Sequence, residues 1–275
     1  MKRIPQTIAV DEAWRKYDDI ESRLTGAVSE RMLDLAELRP GMRVLDLATG
    51  RGEPALRAAQ RVGPLGCVLG LDISQPVLAI AREQAFREGV SNIELRAANT
   101  ESLDDVPDDA FDAATSRWGL MYMHSPVSTL TSACRVLRPG AVLVAAFWAE
   151  PERVPWATLP RRILSRYRDL PPSDPDAPGV FRYADPSRIE RDFAQGGFAI
   201  EHIEEIAIPV IEAAAGAGIV AWVRDIVLGR LAADLSEDQE AAWEAELARE
   251  AELLRVGPMI RLGGVTRLVV GRSTR

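Results

Sequence analysis

Histidine and cysteine are nearly absent from this chain, which has two of each among 275 residues. His124 and His202 lie far apart, Cys67 and Cys134 form no CxxC pair, and no ligand-type spacing joins them. A zinc site is thereby excluded and no metal is expected. The cysteines read as buried reduced thiols, Cys67 opening a buried strand and Cys134 within a helix. No apolar run approaches the roughly 20 residues that a membrane span requires. The opening Met1-Lys2-Arg3-Ile4-Pro5-Gln6-Thr7 is basic but lacks the apolar stretch of a secretory leader, so a cytoplasmic protein is expected. Positive charge is in deficit, with a formal net charge of −8, which argues against a broad nucleic-acid surface. Arg161, Arg162, Arg166 and Arg168 gather in one segment and read as a solvated helix face.

Apolar material is ample. At 47% hydrophobic residues, the chain can bury one large α/β domain, or a domain plus an accessory cap. Its first part alternates strands with helices, the pattern of a parallel sheet. Strands are expected at 43–47, 68–72, 92–97, 110–115 and 141–148, with helices at 54–61, 75–88 and 127–137 between them. Pro54 suits a first helical turn, Ser74 can cap the second helix, and Arg138-Pro139-Gly140 should stop the third.

Beyond Trp148 the pattern loosens. Pro171 to Gly179 is a loop by composition, and Asp185-Pro186-Ser187 begins a helix. Phe198 to Glu204 alternates as a sixth strand, and Val265 to Val270 forms a last one. The long stretch between them reads as helical, from Ile211 to Ala233 and then through the acidic Ser236 to Arg255. The fold expected is α/β: a doubly wound, mostly parallel seven-stranded sheet with an antiparallel last strand. A helical cap, residues 209–264, is inserted between strands six and seven.

The chemistry concentrates in Asp46-Leu47-Ala48-Thr49-Gly50-Arg51-Gly52-Glu53-Pro54, a strand entering a glycine-bearing turn and then a helix. Such a turn lets a ligand approach backbone N–H groups closely. Asp72 ends the next strand, where a carboxylate can take both hydroxyls of a ribose. Gly50-Arg51-Gly52-Glu53-Pro54-Ala55 also satisfies a dinucleotide fingerprint, so two cofactor readings stand on these residues alone.

Further segments carry a resemblance. Val44 to Gly52 resembles the first motif of Rossmann-like S-adenosylmethionine-dependent methyltransferases, and Leu71-Asp72-Ile73-Ser74 is similar to their second. Ala98-Asn99-Thr100-Glu101-Ser102-Leu103 resembles the stretch after strand three. Phe111 to Met121 is similar to the fourth-strand motif of the ubiquinone/menaquinone-biosynthesis type, and Arg135 to Ala141 to the loop before strand five. Three positions depart from the pattern. Ala48 replaces a glycine and is accommodated if its φ stays negative, Asn99 replaces an aspartate, and Ala141 replaces a glycine.

The resemblance implies S-adenosylmethionine as cofactor and gives each residue an expected role. Ala48, Thr49, Gly50 and Gly52 would hold the methionine end, with Asp46 orienting the turn or reaching the amine through water. Asp72 would bind the ribose, Ile73 would pack on the adenine, and Asn99 and Thr100 would read the adenine edge. The backbone of Ser116 and Arg117 would lie near the reactive methyl. An N-terminal helix carrying Trp14 and Tyr17, within a segment 1–40, would act as a lid on the methyltransferase domain 41–275.

For the transfer itself, His124 is the candidate base, since it follows strand four and has a near-neutral intrinsic pKa. A pocket-lining or solvent-facing loop histidine is the competing reading; His202 reads as structural. Tyr17, Trp118, Tyr122 and Trp148 are the candidate substrate residues and suggest a small apolar or aromatic acceptor. Core packing serves Trp118 and Trp148 equally well. An apolar stripe of Ile211, Ile219, Trp222, Val223, Ile226 and Val227 could roof the crevice or form a homodimer face. Two other functions remain open: an NAD-dependent oxidoreductase, and a non-catalytic interaction module.

Overall fold

The computed structural model describes residues 6–170, 174–228 and 235–275. The expected features at 1–5, at Pro171-Pro172-Ser173 and over 229–233 lie outside the described residues. The strands are β1 (Arg43–Leu47), β2 (Cys67–Asp72), β3 (Ile93–Ala97), β4 (Phe111–Arg117), β5 (Leu137–Trp148), β6 (Phe198–Ala213), β7 (Arg255–Val256) and β8 (Met259–Ser273). They form one eight-stranded sheet in the order β3-β2-β1-β4-β5-β8-β6, with β7 paired to β8. β1 to β5 pair in parallel and β8 runs antiparallel to β5. The expected mostly parallel sheet with an antiparallel last strand is present, enlarged by the two-residue β7.

Apolar runs explain the central strands. Val44, Leu45 and Leu47 of β1 and Leu143 to Phe147 of β5 have no exposed surface, as strands covered on both faces require. Because the order turns back at β1, the carboxyl ends of β1 and β4 flank a topological switch point, where open α/β sheets bind ligands.

The chain divides into two compact units. One comprises Ala27–Ala149, Pro175–Ile206 and Thr266–Arg275 and carries β1 to β5. Its helices are the end of α1 (Gln6–Leu35), then α2 (Ala55–Val62), α3 (Gln75–Arg87), α4 (Pro126–Val136) and α6 (Pro186–Gln195). α2 buries Ala55, Leu56, Ala58, Ala59 and Val62 along one face. Asp185 caps α6 by accepting from the Ser187 N–H, as its sequence suggests. In α1, Val28, Met32 and Leu33 are buried, while Glu30 and Asp34 pair with Arg57 and Arg61 of α2.

The second unit comprises Met1–Gly26, Glu150–Asp174 and Ala207–Val265. It contains α5 (Pro155–Leu164), α7 (Gly216–Trp222), a π-helical turn at Val223–Leu228 and α8 (Glu237–Glu252). A full capping box of Ser236 and Gln239 starts α8. Arg162 and Arg166 pair with Glu250 and Glu246 of α8, so these two members of the arginine cluster serve the unit's own acidic helix. Ile211, Ile219, Trp222 and Val223 are buried within the single chain.

Several boundaries differ from the sequence reading: the expected helical cap 209–264 is strand at both ends, since Arg255 lies in β7 and β8 starts at Met259 rather than Val265. Arg138-Pro139-Gly140 does not merely stop a helix: α4 ends at Val136 and these residues lie in β5. A register shift between Phe111 and Ala113 of β4 absorbs the proline there. Ile211 belongs to a strand rather than a helix, because β6 continues to Ala213 alongside an equally long β8.

Candidate functional site

The turn after β1 is held by backbone bonds to its neighbour. Thr49 N–H donates to Leu71 O of β2 at 2.9 Å, and Gly52 N–H donates to Thr49 O at 2.9 Å. Asp72 braces the arrangement with both oxygens. Oδ2 accepts from Gly50 N–H and Oδ1 from Ser74 N–H, each at 2.9 Å. One carboxylate thus ties the glycine turn to the start of α3, and the lone pairs left over on each oxygen suit hydroxyl donors. Ser74 makes no side-chain cap bond to α3, contrary to its expected role; its own N–H is held by Asp72.

Gly50 has φ +56°, and a β-carbon there would meet nothing within 4 Å, so the turn presents open backbone. Ala48 also adopts a positive φ, +56°, where a negative value was expected. The turn needs the left-handed conformation at this position whichever residue occupies it, at a cost of roughly 1 kcal/mol for a non-glycine residue.

Asp46 is fully buried beneath the turn. Its Oδ1 accepts from Thr115 Oγ1 at 2.6 Å, across the β1–β4 pair in which the two residues are register partners. Asp46 Oδ2 and Thr49 Oγ1 are buried without a hydrogen-bond partner among the described residues. Burial pushes the Asp46 carboxyl up to about 6, opposed by the Thr115 bond, the neighbouring Thr49 hydroxyl and the Arg117 charge. A buried acceptor left unpaired costs about 1–3 kcal/mol, and a ligand's donor would recover it.

The other expected residues fall around the same rim. Ile73 is 80% exposed beside Asp72, an unusual placement for a large apolar side chain unless something covers it. Asn99 Oδ1 accepts from Glu101 N–H at 3.0 Å, and Thr100 is buried with its hydroxyl towards Met123 Sδ. Ser116 Oγ donates to Leu47 O at 3.0 Å. His124 is exposed; its N–H donates to Glu101 Oε1 at 2.7 Å and its carbonyl accepts from Arg182. His202 lies on β6, paired with Glu204.

The aromatic residues separate. Trp118 stacks on Trp148 with centroids 4.7 Å apart and 11° between planes, and the Arg117 guanidinium lies over the Trp118 ring at 4.9 Å. The Trp118 ring is therefore engaged by protein groups, and Trp148 is buried. Tyr122 is half exposed. Tyr17 belongs to the other unit, where its hydroxyl donates to Asp225 at 2.9 Å.

Sequence reasoning missed Thr115, Glu101, Ser29 and Arg182. Thr115 alone had a usable signal, since parallel pairing of strands one and four places a hydroxyl beside Asp46. Cavities of about 470 and 440 Å³ open at the amino ends of the strands, around Arg39 and Asp112 and around Asn92 and Pro107. They lie at the opposite ends of the strands from this turn.

Residues 38–159 match the family model of a methyltransferase domain. Over that segment the chain is similar to a methyltransferase domain. It is similar to the ubiquinone/menaquinone biosynthesis C-methyltransferases of Ectopseudomonas mendocina and Pseudomonas entomophila, each 34% identical over 141 residues. Those matches cover 50% of this chain and 55% of each relative, so the chain spans about half the length of the curated relatives it matches.

Solved structures share the fold. The YcgJ protein of Bacillus subtilis has a TM-score of 0.59 at 19% identity, covering 90% of this chain and 98% of that one. A putative methyltransferase from Bacillus halodurans has a TM-score of 0.60 at 18% identity, covering 89% and 97%. S-adenosylmethionine is the group that the sequence resemblance implies, and the residues present fit it. The open turn at Gly50, the buried unpaired Asp46 oxygen, the spare acceptor capacity of Asp72 and the exposed Ile73 are the kinds of group that its amino-acid, ribose and adenine parts would require. Among the described residues no helix is long and apolar enough to cross a membrane, and no His, Cys, Asp and Glu cluster could hold a metal.

Proposed function

We propose that the protein transfers a methyl group from S-adenosylmethionine to a small apolar or aromatic acceptor. The observation that carries this reading is the Asp72 carboxylate, which braces Gly50 and Ser74 while keeping acceptor capacity at the switch point of the sheet. When bound, the cofactor supplies an electrophilic methyl on a sulfonium. Asp72 and Ile73 hold the ribose and adenine, Asn99 and Thr100 line the adenine edge, and Ala48, Thr49, Gly50 and Gly52 present backbone to the amino-acid end. The backbone of Ser116 and Arg117 borders the methyl. His124, with its main chain pinned by Glu101 and Arg182, takes the acceptor's proton as the new bond forms.

Tyr122 is the aromatic contact for the acceptor in the core unit, because its ring is half exposed. Trp118 and Trp148, stacked on each other, serve packing. The buried stripe from Ile211 to Val223 argues against a homodimer through that face. The net charge of −8 disfavours nucleic acid as acceptor, and the free thiol of Cys67, exposed at the strand's first residue where a buried one was expected, suits the reducing cytoplasm.

A structural neighbour described as a [4+2]-cyclase, with a TM-score of 0.57 at 20% identity, favours a second reading in which the fold hosts chemistry without transfer. The test is incubation with methyl-labelled S-adenosylmethionine and a panel of quinols, phenols and aromatic amines. Label should pass to at least one acceptor with equimolar release of S-adenosylhomocysteine. Tight cofactor binding with no transfer to any acceptor would favour the second reading.

A further inference from the structure

The stretch after β3, Asn99 to Glu101, and the turn after β4, Tyr122 to His124, are bonded to each other at two points. Glu101 Oε1 accepts from His124 N–H at 2.7 Å, and Thr100 Oγ1 donates to Met123 Sδ at 3.7 Å. The first bond is short and charge-assisted and the second is long, so Glu101 is the principal tie. Asn99 Oδ1 accepts from Glu101 N–H at 3.0 Å, which fixes the main chain from which the Glu101 side chain reaches.

The turn after β4 has further anchors. Gly179 N–H donates to Met121 O at 3.0 Å, and Arg182 donates to the carbonyls of Met123 and His124. Met123 is buried, with the Thr129 hydroxyl donating to its sulfur at 3.1 Å. Among the described residues Glu101 alone accepts from the His124 N–H. An exposed imidazole gains no orientation from burial, so the main chain that carries it sets its direction. In the methyl-donor reading, Asn99 and Thr100 line the adenine edge, whereas Tyr122 and His124 serve the acceptor. Glu101 thus belongs to the first group by sequence and to the second by contact.

We propose that Glu101 is a positioning residue that carries occupancy of the adenine edge to His124, so that a bound donor aligns the acceptor side of the site. A ligand shifts a group beyond its reach only through a difference in what it contacts, and the adenine edge supplies that contact next to Glu101. The coupling is reciprocal, so an acceptor held at His124 also favours the donor. This inference rests on the methyl-donor reading above and adds an order to it, donor before acceptor.

The test follows hydrogen exchange of the His124 amide by NMR, with and without saturating S-adenosylhomocysteine, using the His202 amide on β6 as internal reference. In the wild type the ligand should slow exchange at His124 at least about fivefold more than at His202. Glu101→Gln keeps a carbonyl acceptor and should retain most of that response. Glu101→Ala, and Glu101→Asp with its reach one methylene shorter, should reduce it to within about twofold of the reference. Calorimetry should find S-adenosylhomocysteine affinity within about threefold of wild type in these variants, because the bond from the residue-101 N–H to Asn99 is kept. That affinity also shows that they are folded. A tie that is structural alone would lower His124 protection equally with and without ligand. An equal ligand response in every variant, or none in a wild type that binds S-adenosylhomocysteine, overturns the coupling and leaves the methyl-donor reading intact. A wild type that does not bind S-adenosylhomocysteine overturns both.

Discussion

The methyl group of Ala48 lies against Gly119, 2.5 Å from where a β-carbon on residue 119 would stand. The two positions are coupled: a left-handed alanine in the cofactor turn demands a glycine after β4. Gly119→Ala should therefore destabilise the protein by about 1–3 kcal/mol through overpacking. Ala48→Gly should be stabilising by up to about 1 kcal/mol, through relief of the +56° backbone. Combined, the two should cost less than their sum, because the closest clash is gone. Rescue should be partial, since Ser116 Oγ and Leu47 O also lie near, at 2.9 and 3.1 Å. Thermal or urea unfolding of the four proteins measures the coupling; strict additivity would show that the two sites do not touch.

Asp46 should make stability depend on pH. Its carboxyl is pushed from 3.8 up to about 6 by burial, so the folded state prefers the protonated form. The contribution is full below the unfolded value and is lost as pH rises through about 6. At pH 7 and above, the buried charge costs on the order of 3 kcal/mol. Asp46→Asn keeps an acceptor for Thr115 and removes that charge. It should raise the melting temperature at pH 7.5 and have little effect near pH 4, while weakening cofactor binding. A stability gain that does not change between those pH values would contradict the assignment.

Asp72→Ala removes two backbone braces at once. It should cost about 1–2 kcal/mol of stability and weaken cofactor binding at least tenfold. Asp72→Asn retains a carbonyl acceptor for only one brace and should be intermediate in both. Cofactor affinity unchanged in the alanine variant would make Asp72 a turn brace alone.

His124→Ala should lower kcat far more than it raises KM, and the acid limb of the kcat profile should disappear. The exposed imidazole makes a loss of stability unlooked for. An unaltered kcat would leave His124 as a rim residue.

Much of this was legible in the residues. The strand–helix alternation from Arg43 to Trp148 appears as read, because strands buried on both faces are apolar throughout and their helices carry clear boundary residues. Asp46, Gly50 and Asp72 come together because the turn order of the fold brings consecutive strand ends to one rim. The rest depended on contacts that spacing does not encode. The φ of Ala48 is imposed by the turn rather than by alanine, and the reach of β6 past Ile211 by its neighbour β8. Trp118 and Trp148 look alike in sequence to ligand-stacking residues. Only their mutual stacking, with the Arg117 guanidinium beside the Trp118 ring, shows that these rings serve packing within the protein.

The central claim is that the Gly50 turn and Asp72 hold S-adenosylmethionine, and calorimetric titration with S-adenosylmethionine and, separately, NAD tests it most directly. The account predicts binding of S-adenosylmethionine or S-adenosylhomocysteine with micromolar affinity, weakened by Asp72→Ala, and no measurable binding of NAD. Binding of NAD without binding of either sulfur-containing ligand would contradict it.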